Sequence, residues 1–465
     1  MSGARSILSR PLAELPDPLE IEPIESAFDL DVTPPGSKSE SNRAIVLAAL
    51  ASGTTVLRGA LTEADDSVVA IEAVRMLGAK VEVDGSTLRI EGVDGRWRCP
   101  AEGVTVDLKN AGTATRFLAA AAMLAPGPVT ITGNERMRQR PIGELADALH
   151  QLGATIEWHG TAGCPPLTII PPSGGVPRGV ELVFESPESS QFVSALLMLG
   201  PWVSGGVTVR ITGRVTSSPY LSMTLDLLDR VGSSVKATDD LRLLRVSPES
   251  STGLAGFELD IEPDASGATY FWTAAALLPG AKSTVLGLDA RAIQGDARYA
   301  GLLERMGAQV ELSPTGEDAR TSVTGPVTLK PILADLSPMP DTAMSLAVAA
   351  CLANGTSVLR GLGTLRVKET DRIEAIRNEL TKLGVSVDVG VQGDDETITI
   401  TPPKSGIDCS PDAPRVEFET YDDHRMAMSL ALIGLVRPNV FIRDPGCVAK
   451  TYPIFWKQLA ELYLD

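Results

Sequence analysis

The apolar and polar positions of this chain repeat over long distances. Five segments share one pattern, an apolar residue, a glycine, a small residue and a stretch of alternating polarity, with glycines at 78, 153, 232, 307 and 384. These glycines recur every 75 to 79 residues. Each segment predicts the end of a helix, where glycine takes the left-handed conformation, followed by a half-exposed strand.

A second marker precedes each of the first by 25 to 29 residues. It is a glycine followed by a strand-like run, with the glycines at 53, 127, 206, 280 and 355. A sixth, degenerate copy is the strand-like run 439–442, with a last helix over 455–462. Two markers with one period and a nearly fixed offset predict six copies of a β-α-β-α-β-β unit.

Six such units predict an α/β protein of two similar domains with three repeats each. The stretches 343–352 and 426–435 are apolar and carry few charges. They predict helices that are buried inside each domain. A solenoid of six equal units is the alternative architecture.

Composition narrows the class of protein. Among 465 residues, 43% are apolar and 22% charged, which is typical of a soluble globular chain. The net charge of −18 and the aromatic content of 4% argue against a nucleic-acid partner. Five cysteines without a Cys-x-x-Cys pair predict a reduced, cytoplasmic chain. Residues 1–22 have no continuous apolar core and predict an irregular tail, and no stretch predicts a membrane span.

Polar segments begin several predicted helices. Residues 35–43, Pro-Gly-Ser-Lys-Ser-Glu-Ser-Asn-Arg, run directly into an apolar helical stretch. Free N–H groups and the helix dipole favour an anion at such a place. Segments 110–116, 136–141, 189–191 and 217–220 present further arginines, hydroxyls and amides. For each segment, an ordinary helix cap or a solvated basic turn is the alternative.

The second half of the chain mixes both charge signs at the corresponding places. Segment 366–372, Arg-Val-Lys-Glu-Thr-Asp-Arg, is expected to open a helix, and Asp341 precedes a nearly uncharged one. Segment 421–426 contains one of three histidines. All these segments fall at one phase of the repeat, which predicts a single anion-binding cleft between the domains. Surface salt bridges are the alternative.

Taken together, these segments resemble the 5-enolpyruvylshikimate-3-phosphate (EPSP) synthase family of enolpyruvyl transferases. The resemblance rests on segments 35–39, 110–113, 366–372 and 423–428 and extends from about residue 34 to the C-terminus. It implies two domains of three repeats with buried helices, an inside-out α/β barrel, joined by two crossings. The implied boundaries are 1–36, a tail and first strand of the C-terminal domain, then 37–261 and 262–465.

The resemblance also implies the reaction, transfer of the enolpyruvyl group of phosphoenolpyruvate to the 5-hydroxyl of shikimate 3-phosphate with release of phosphate. The residues implied to bind phosphoenolpyruvate are Lys38, Asn110, Gly112, Arg140, Gln191, Arg372, Arg425 and Lys450. Those implied to bind shikimate 3-phosphate are Lys38, Ser39, Arg43, Ser189, Ser190, Gln191, Ser217, Tyr220, Asp341, Thr364 and Lys368.

Roles in the reaction follow from the same resemblance. Asp341 accepts the proton of the 5-hydroxyl, and Glu369 gives a proton to the methylene carbon of phosphoenolpyruvate and recovers it. Lys38 and Lys450 balance the charge of the departing phosphate, and His424 orients the site. No metal or organic cofactor is expected, since Lys and Arg side chains supply the positive charge that a metal ion would supply. A monomer and inhibition by glyphosate are implied as well.

Two positions depart from the family pattern. Phe117 stands where many members have proline, and Thr364 stands where many have asparagine. The sister transferase acting on UDP-N-acetylglucosamine uses a mobile-loop cysteine, whereas no cysteine lies between Cys99 and Cys164. A non-catalytic anion-binding repeat protein is the third interpretation. Such a protein would need no carboxylates at its cleft, whereas Asp341 and Glu369 fit catalytic positions.

Overall fold

The structure is a computed structural model that describes residues 3–248, 253–289, 291–313, 319–393 and 395–463. Its helices are α1 (Gly3–Leu8), α2 (Lys38–Leu50), α3 (Asp65–Met76), α4 (Gly112–Ala121), α5 (Gly143–Gln151), α6 (Ser190–Leu197), α7 (Ser218–Arg230), α8 (Ala265–Leu277), α9 (Tyr299–Arg305), α10 (Ala343–Cys351), α11 (Arg372–Thr381), α12 (His424–Gly434) and α13 (Phe455–Leu459).

Its strands are β1 (Leu19–Ile21), β2 (Asp29–Val32), β3 (Thr54–Arg58), β4 (Lys80–Asp84), β5 (Thr87–Glu91), β6 (Val104–Asp107), β7 (Val129–Thr132), β8 (Thr155–Trp158), β9 (Leu167–Ile170), β10 (Val180–Phe184), β11 (Val207–Ile211), β12 (Ser233–Ala237), β13 (Leu243–Pro248), β14 (Glu258–Asp260), β15 (Lys282–Leu286), β16 (Gln309–Leu312), β17 (Arg320–Thr324), β18 (Leu333–Asp335), β19 (Ser357–Arg360), β20 (Ser386–Gln392), β21 (Asp395–Thr401), β22 (Val416–Phe418) and β23 (Val440–Ile442).

The described chain forms two compact units. The N unit comprises residues 36–262, and the C unit comprises residues 1–35 together with 263–465. Each unit has its own hydrophobic core. The mixed α/β class with two three-repeat units, predicted from the glycine markers, is confirmed.

One strand order recurs through the described sheets. The order β6-β7-β9-β8 in the second repeat returns as β10-β11-β13-β12 and β18-β19-β21-β20. In each, the first two strands are parallel, and an antiparallel hairpin completes the sheet. Two sheets take their first strand from a distant part of the chain, since β14 pairs with β3 and β2 pairs with β15. The chain thereby closes each unit upon itself.

The sixth sheet is the irregular one. Strands β22 and β23 are parallel, and β1 from the N-terminal segment pairs antiparallel with β23. The prediction that residues 1–22 form an irregular tail is therefore wrong for this part. Helix α1 buries Ala4 and Leu8, and β1 buries Leu19 and Ile21, so apolar side chains tie the segment to the C unit.

The marker glycines have the predicted conformation. Gly78 follows α3 with φ of 108°, and Gly153, Gly232, Gly307 and Gly384 have φ between 76° and 106°. A side chain is strained in this region, which explains why glycine recurs there. The repeat seen in the sequence is thus a repeat of helix ends.

Helices form the core of each unit, and strands cover them. All nine residues of α10 and all eleven of α12 are buried, as the apolar stretches within them predicted. Strands such as β3 and β10 alternate buried and exposed positions, so each places one face on the helices. Among the described residues, none of the helices is long and apolar enough to cross a bilayer.

Candidate active site

The first helix of the N unit begins with a capped turn. Ser37 Oγ accepts a hydrogen bond of 3.4 Å from the Glu40 N–H. The Lys38 side chain is largely buried, and its Nζ lies 3.6 Å from Asp66 Oδ2 at the start of α3. The ion pair orients the ammonium group, so Lys38 is held at the helix start instead of extending into solvent.

Arg43 is enclosed by three elements. Its Nε donates to Thr224 Oγ1 at 2.7 Å, and its Nη1 donates to the Ser39 carbonyl at 2.7 Å. Nη2 donates to the Tyr220 carbonyl at 3.3 Å, and the Phe117 ring centroid is 5.0 Å from Cζ. Burial lowers the pKa of Arg43 to about 10. The structure therefore brings Ser39, Arg43 and Tyr220 together, and Phe117 packs against the guanidinium.

The start of α4 is fitted to two arginines. Arg140 Nη1 donates to the Asn110 carbonyl at 3.4 Å, and Arg116 Nη1 donates to the Gly112 carbonyl at 3.0 Å. A Cβ on Gly112 would lie 2.7 Å from Arg140 Cζ and from Arg116 Nη1. Glycine is needed at 112 because a side chain would displace these guanidinium groups.

The starts of α6 and α7 supply neutral polar groups. Ser189 caps α6 by accepting from the Gln191 N–H at 3.2 Å, and Ser190 is buried beside it. Gln191 Nε2 donates to Thr113 Oγ1 on α4 at 3.2 Å. Ser217, immediately before α7, has φ of 48°. These hydroxyls and amides are placed by helix starts, as their position in the repeat predicted.

In the C unit, one carboxylate holds three cations. Asp341 Oδ1 lies 3.2 Å from Lys368 Nζ and 3.1 Å from Arg372 Nη1. Asp341 Oδ2 lies 3.1 Å from Arg425 Nη2. The side chain of Asp341 is 12% exposed, so these charges interact with little screening by solvent. Burial lowers the pKa of Lys368, although Asp341 acts in the opposite direction.

Arg372 lies at the centre of this cluster. Its Nε donates to Asp423 Oδ2 at 2.7 Å, and its Nη2 donates to Glu369 Oε2 at 2.9 Å. Burial disfavours the charged form, but the carboxylates of Asp423, Glu369 and Asp341 outweigh it and raise the pKa of the guanidinium. Lys450 Nζ approaches Glu369 Oε1 at 4.0 Å. Arg372 thereby fixes both candidate proton-transfer carboxylates.

The structure of segment 366–372 differs from the expected one. Segment 366–372 does not open a helix, because a 3₁₀ turn spans Gly363–Val367 and α11 begins only at Arg372, capped by Asp371. The charged run of the segment bends before α11, which lets Lys368 and Arg372 reach one carboxylate. Thr364 Oγ1 is buried without a hydrogen-bond partner among the described residues.

His424 is fully buried at the first position of α12. Its Nδ1 lies 3.7 Å from Asp423 Oδ1, and Asp423 caps α12 by accepting from the Arg425 N–H at 2.9 Å. The imidazole is therefore buried beside Asp423, the carboxylate that binds Arg372.

Some polar residues of these clusters were not among the predicted site residues, and four of them are Asp66, Thr113, Arg116 and Asp423. Three of them belong to segments that the sequence analysis singled out. Asp66 does not, since an acid in the first turn of a helix is an ordinary stabilising feature. Only the tertiary contact with Lys38 distinguishes it.

Chemically, the two sets of residues suit anions and proton transfer. Cationic side chains and capped helix starts can bind phosphate and carboxylate groups. A carboxylate can accept a proton when its cationic partners pair with a substrate instead. In the part of the chain that the structure describes, no group of three or more His, Cys, Asp or Glu side chains is arranged to hold a metal ion. All five cysteines are free thiols.

The sequence and the fold of this chain are similar to those of known proteins. The family model of EPSP synthase (3-phosphoshikimate 1-carboxyvinyltransferase) matches residues 24–459. The 3-phosphoshikimate 1-carboxyvinyltransferase of Laribacter hongkongensis is 44% identical over 92% of this chain and 95% of its own length. That of Vibrio cholerae is 39% identical over 96% of this chain and 99% of its own. The EPSP synthase structure from Acinetobacter baumannii superimposes with a TM-score of 0.74 at 29% identity, covering 94% of this chain and 96% of that one.

Proposed function

The chain belongs to the EPSP synthase family, and we propose that the polar clusters of its two units bind the family's two substrates and carry its proton transfers. The enzyme transfers the enolpyruvyl group of phosphoenolpyruvate to shikimate 3-phosphate, a step of the shikimate pathway to aromatic amino acids. The observation that carries the assignment of roles is the Asp341 carboxylate held by three cations.

Phosphoenolpyruvate carries a phosphate and a carboxylate, so it requires several fixed positive charges. Arg140, Arg372 and Arg425 are largely buried and already oriented by hydrogen bonds, which lowers the entropic cost of binding an anion. The proposed phosphoenolpyruvate set is Lys38, Asn110, Gly112, Arg140, Gln191, Arg372, Arg425 and Lys450.

Shikimate 3-phosphate combines a phosphate, a carboxylate and hydroxyl groups. Serines at helix starts donate to such groups, and Arg43 supplies a buried charge beside Ser39. The proposed set is Lys38, Ser39, Arg43, Ser189, Ser190, Gln191, Ser217, Tyr220, Asp341, Thr364 and Lys368.

Substrate binding changes the basicity of Asp341. In the ligand-free protein, Lys368, Arg372 and Arg425 stabilise its ionised form. Substrate phosphate and carboxylate groups compete for these cations, so the carboxylate loses part of that stabilisation and becomes a stronger base. Asp341 then accepts the proton of the 5-hydroxyl as its oxygen forms a bond to C2 of phosphoenolpyruvate.

Glu369 completes the addition and starts the elimination. In its protonated form, Glu369 donates a proton to C3 of phosphoenolpyruvate, which gives a tetrahedral adduct with a methyl group at C3 and leaves Glu369 ionised. Glu369 then takes one proton back from that methyl group while the C–O bond to phosphate breaks. Lys450, 4.0 Å from Glu369, balances the charge of the departing phosphate together with Lys38, and His424 supports Asp423 behind Arg372.

Glyphosate, a small phosphonate anion, is proposed to occupy the phosphoenolpyruvate residues. The protein is proposed to act as a monomer in the cytoplasm without a cofactor, since the cations supply the positive charge that the reaction needs.

An assay of acceptor choice tests the function. Purified protein is incubated with phosphoenolpyruvate and either shikimate 3-phosphate or UDP-N-acetylglucosamine, and phosphate release and the enolpyruvyl product are both measured. We expect equimolar phosphate and product with shikimate 3-phosphate only. Release with the UDP-sugar would assign the chain to the sister reaction, and binding of either substrate without release would favour a non-catalytic protein.

A further inference from the structure

The fourth repeat contains none of the site residues that were predicted from the sequence. In repeats two, three, five and six, the connection from the second strand to the second helix carries a proposed site residue, Arg140, Ser217, Lys368 or Lys450. In the first repeat, α3 at the end of this connection carries Asp66, the partner of Lys38. The same connection of the fourth repeat carries Asp296.

Asp296 lies in a 3₁₀ turn, Gly295–Arg298, ahead of α9. Its carboxylate is buried at 3% exposure, and its Oδ2 accepts a hydrogen bond from Ser266 Oγ on α8. Its Oδ1 is buried and has no hydrogen-bond partner among the described residues. A buried carboxylate oxygen left in this state is costly unless nearby charge or a proton compensates it.

Two of the charged groups that interact with Asp296 belong to the proposed site. Asp341 before α10 and Arg425 on α12 interact with it electrostatically, and so does Asp264, which caps α8. Helix α8 packs against the turn of Asp296, against the turn Pro340–Thr342 that contains Asp341, and against α12, which bears Arg425. Burial raises the pKa of Asp296 to about 7, repulsion from Asp341 adds to this effect, and Arg425 opposes it. The carboxyl group therefore gains its charge close to neutral pH.

We propose that Asp296 is a positioning residue of the reaction, whose buried carboxylate interacts electrostatically with the Arg425 guanidinium and strengthens Asp341 as a base. A negative charge near Asp341 makes proton uptake by Asp341 more favourable. The same charge partly neutralises Arg425, so Asp296 is expected to serve proton transfer more than affinity. This inference rests on the proposed role of Asp341.

The test compares wild type, Asp296→Asn and Asp31→Asn, which changes an exposed carboxylate of the same unit. Asparagine resembles a protonated aspartate and can still accept from Ser266. We expect Asp296→Asn to shift the acid limb of the kcat profile to lower pH by about one unit and to lower kcat about three- to tenfold. The KM for phosphoenolpyruvate should not rise, and Tm at pH 8 should not fall, because no ionised group remains to be buried. Asp31→Asn should match wild type.

A purely structural role gives another pattern. A drop in Tm with raised KM values and an unmoved acid limb would overturn the inference. Should Asp296→Asn fail to fold, Ser266→Ala removes the hydrogen bond that favours the ionised form, and a shift of the limb in the same direction is expected. An unmoved limb in that variant also overturns the inference. Asp341→Asn is assayed in parallel: full turnover would refute the proposed base itself, whereas loss of turnover beside an unchanged Asp296→Asn profile refutes only the role of Asp296.

Discussion

Arg372 shows how one side chain can organise a site. Its guanidinium reaches Asp341, Glu369 and Asp423 while being only 1% exposed. Breaking a buried group of this kind leaves unpaired charge, which costs far more than the ion pairs contribute over apolar packing. The arrangement therefore serves placement of the two proposed proton-transfer carboxylates more than stability.

The proposed base is tested by replacing Asp341 with asparagine. Losing a positioned base lowers turnover about 10²- to 10⁴-fold. We expect that loss in kcat, while calorimetry still detects shikimate 3-phosphate binding, because Ser39, Arg43 and Lys368 remain. Asp335→Asn, an exposed carboxylate on β18, serves as the control. Near-normal turnover of Asp341→Asn would contradict the assignment.

Glu40 is expected to make the stability of the fold depend on pH. It is fully buried, accepts from the Glu262 N–H at 2.9 Å, and burial raises its pKa to about 7. The folded state therefore keeps a proton that the unfolded chain releases near its ordinary pKa. Through this group, the free energy of unfolding falls as pH rises towards 7 and stays reduced above it.

Removing the charge should remove that dependence. Between pH 5 and pH 8, we expect the free energy of unfolding of Glu40→Gln to rise by about 1 to 3 kcal/mol relative to that of the wild type. Urea unfolding at both pH values measures it, with exposed Glu82→Gln as the control. A difference between variant and wild type that does not change with pH would refute the interpretation.

Helix starts are the elements that build this site. The sequence allowed the helix ends, the six repeats and the polar helix starts to be predicted, because each depends on local rules of capping and periodicity. It did not allow the Lys38–Asp66 pair or the packing of Phe117 on Arg43 to be predicted, since both join residues of different repeats or helices. The strand β1 was missed because its partner β23 lies at the other end of the chain.

The close approach of two arginines to the start of α4 can be tested by substitution. In Gly112→Ala, the new Cβ would lie 2.7 Å from Arg140 Cζ and Arg116 Nη1. These atoms end flexible side chains, so the fold should persist while Arg140 is displaced. We expect the KM for phosphoenolpyruvate to rise about tenfold, which corresponds to about 1.4 kcal/mol, with little change in the KM for shikimate 3-phosphate.

Gly301→Ala is the matched control, because a Cβ at this position within α9 meets no atom within 4 Å. Alanine inside a helix is favoured over glycine by about 0.5–1 kcal/mol. This variant should keep both KM values and show an unchanged or higher Tm. Equal KM values in Gly112→Ala and Gly301→Ala would show that the close approach at 112 has no part in binding.

For the whole molecule, charge distribution decides the chemistry. The chain has a net charge of −18, yet Lys38, Arg140, Arg372, Arg425 and Lys450 are largely buried in the clusters described above. Such placed cations can stabilise developing negative charge as a metal ion would. We predict that exhaustive chelator treatment leaves turnover unchanged. Loss of activity that an added divalent metal restores would contradict this prediction.

The proposed reaction is an addition followed by an elimination, in which Glu369 moves one proton onto C3 and one away. Running the reaction in D₂O and analysing the product by mass spectrometry and proton NMR tests it directly. If the adduct carries a C3 methyl group, its protons are mixed, and the recovered product must contain deuterium in its methylene group. Glu369→Gln should form product at least about 10²-fold more slowly. Product formed by the wild-type protein with no deuterium at C3 would contradict the account.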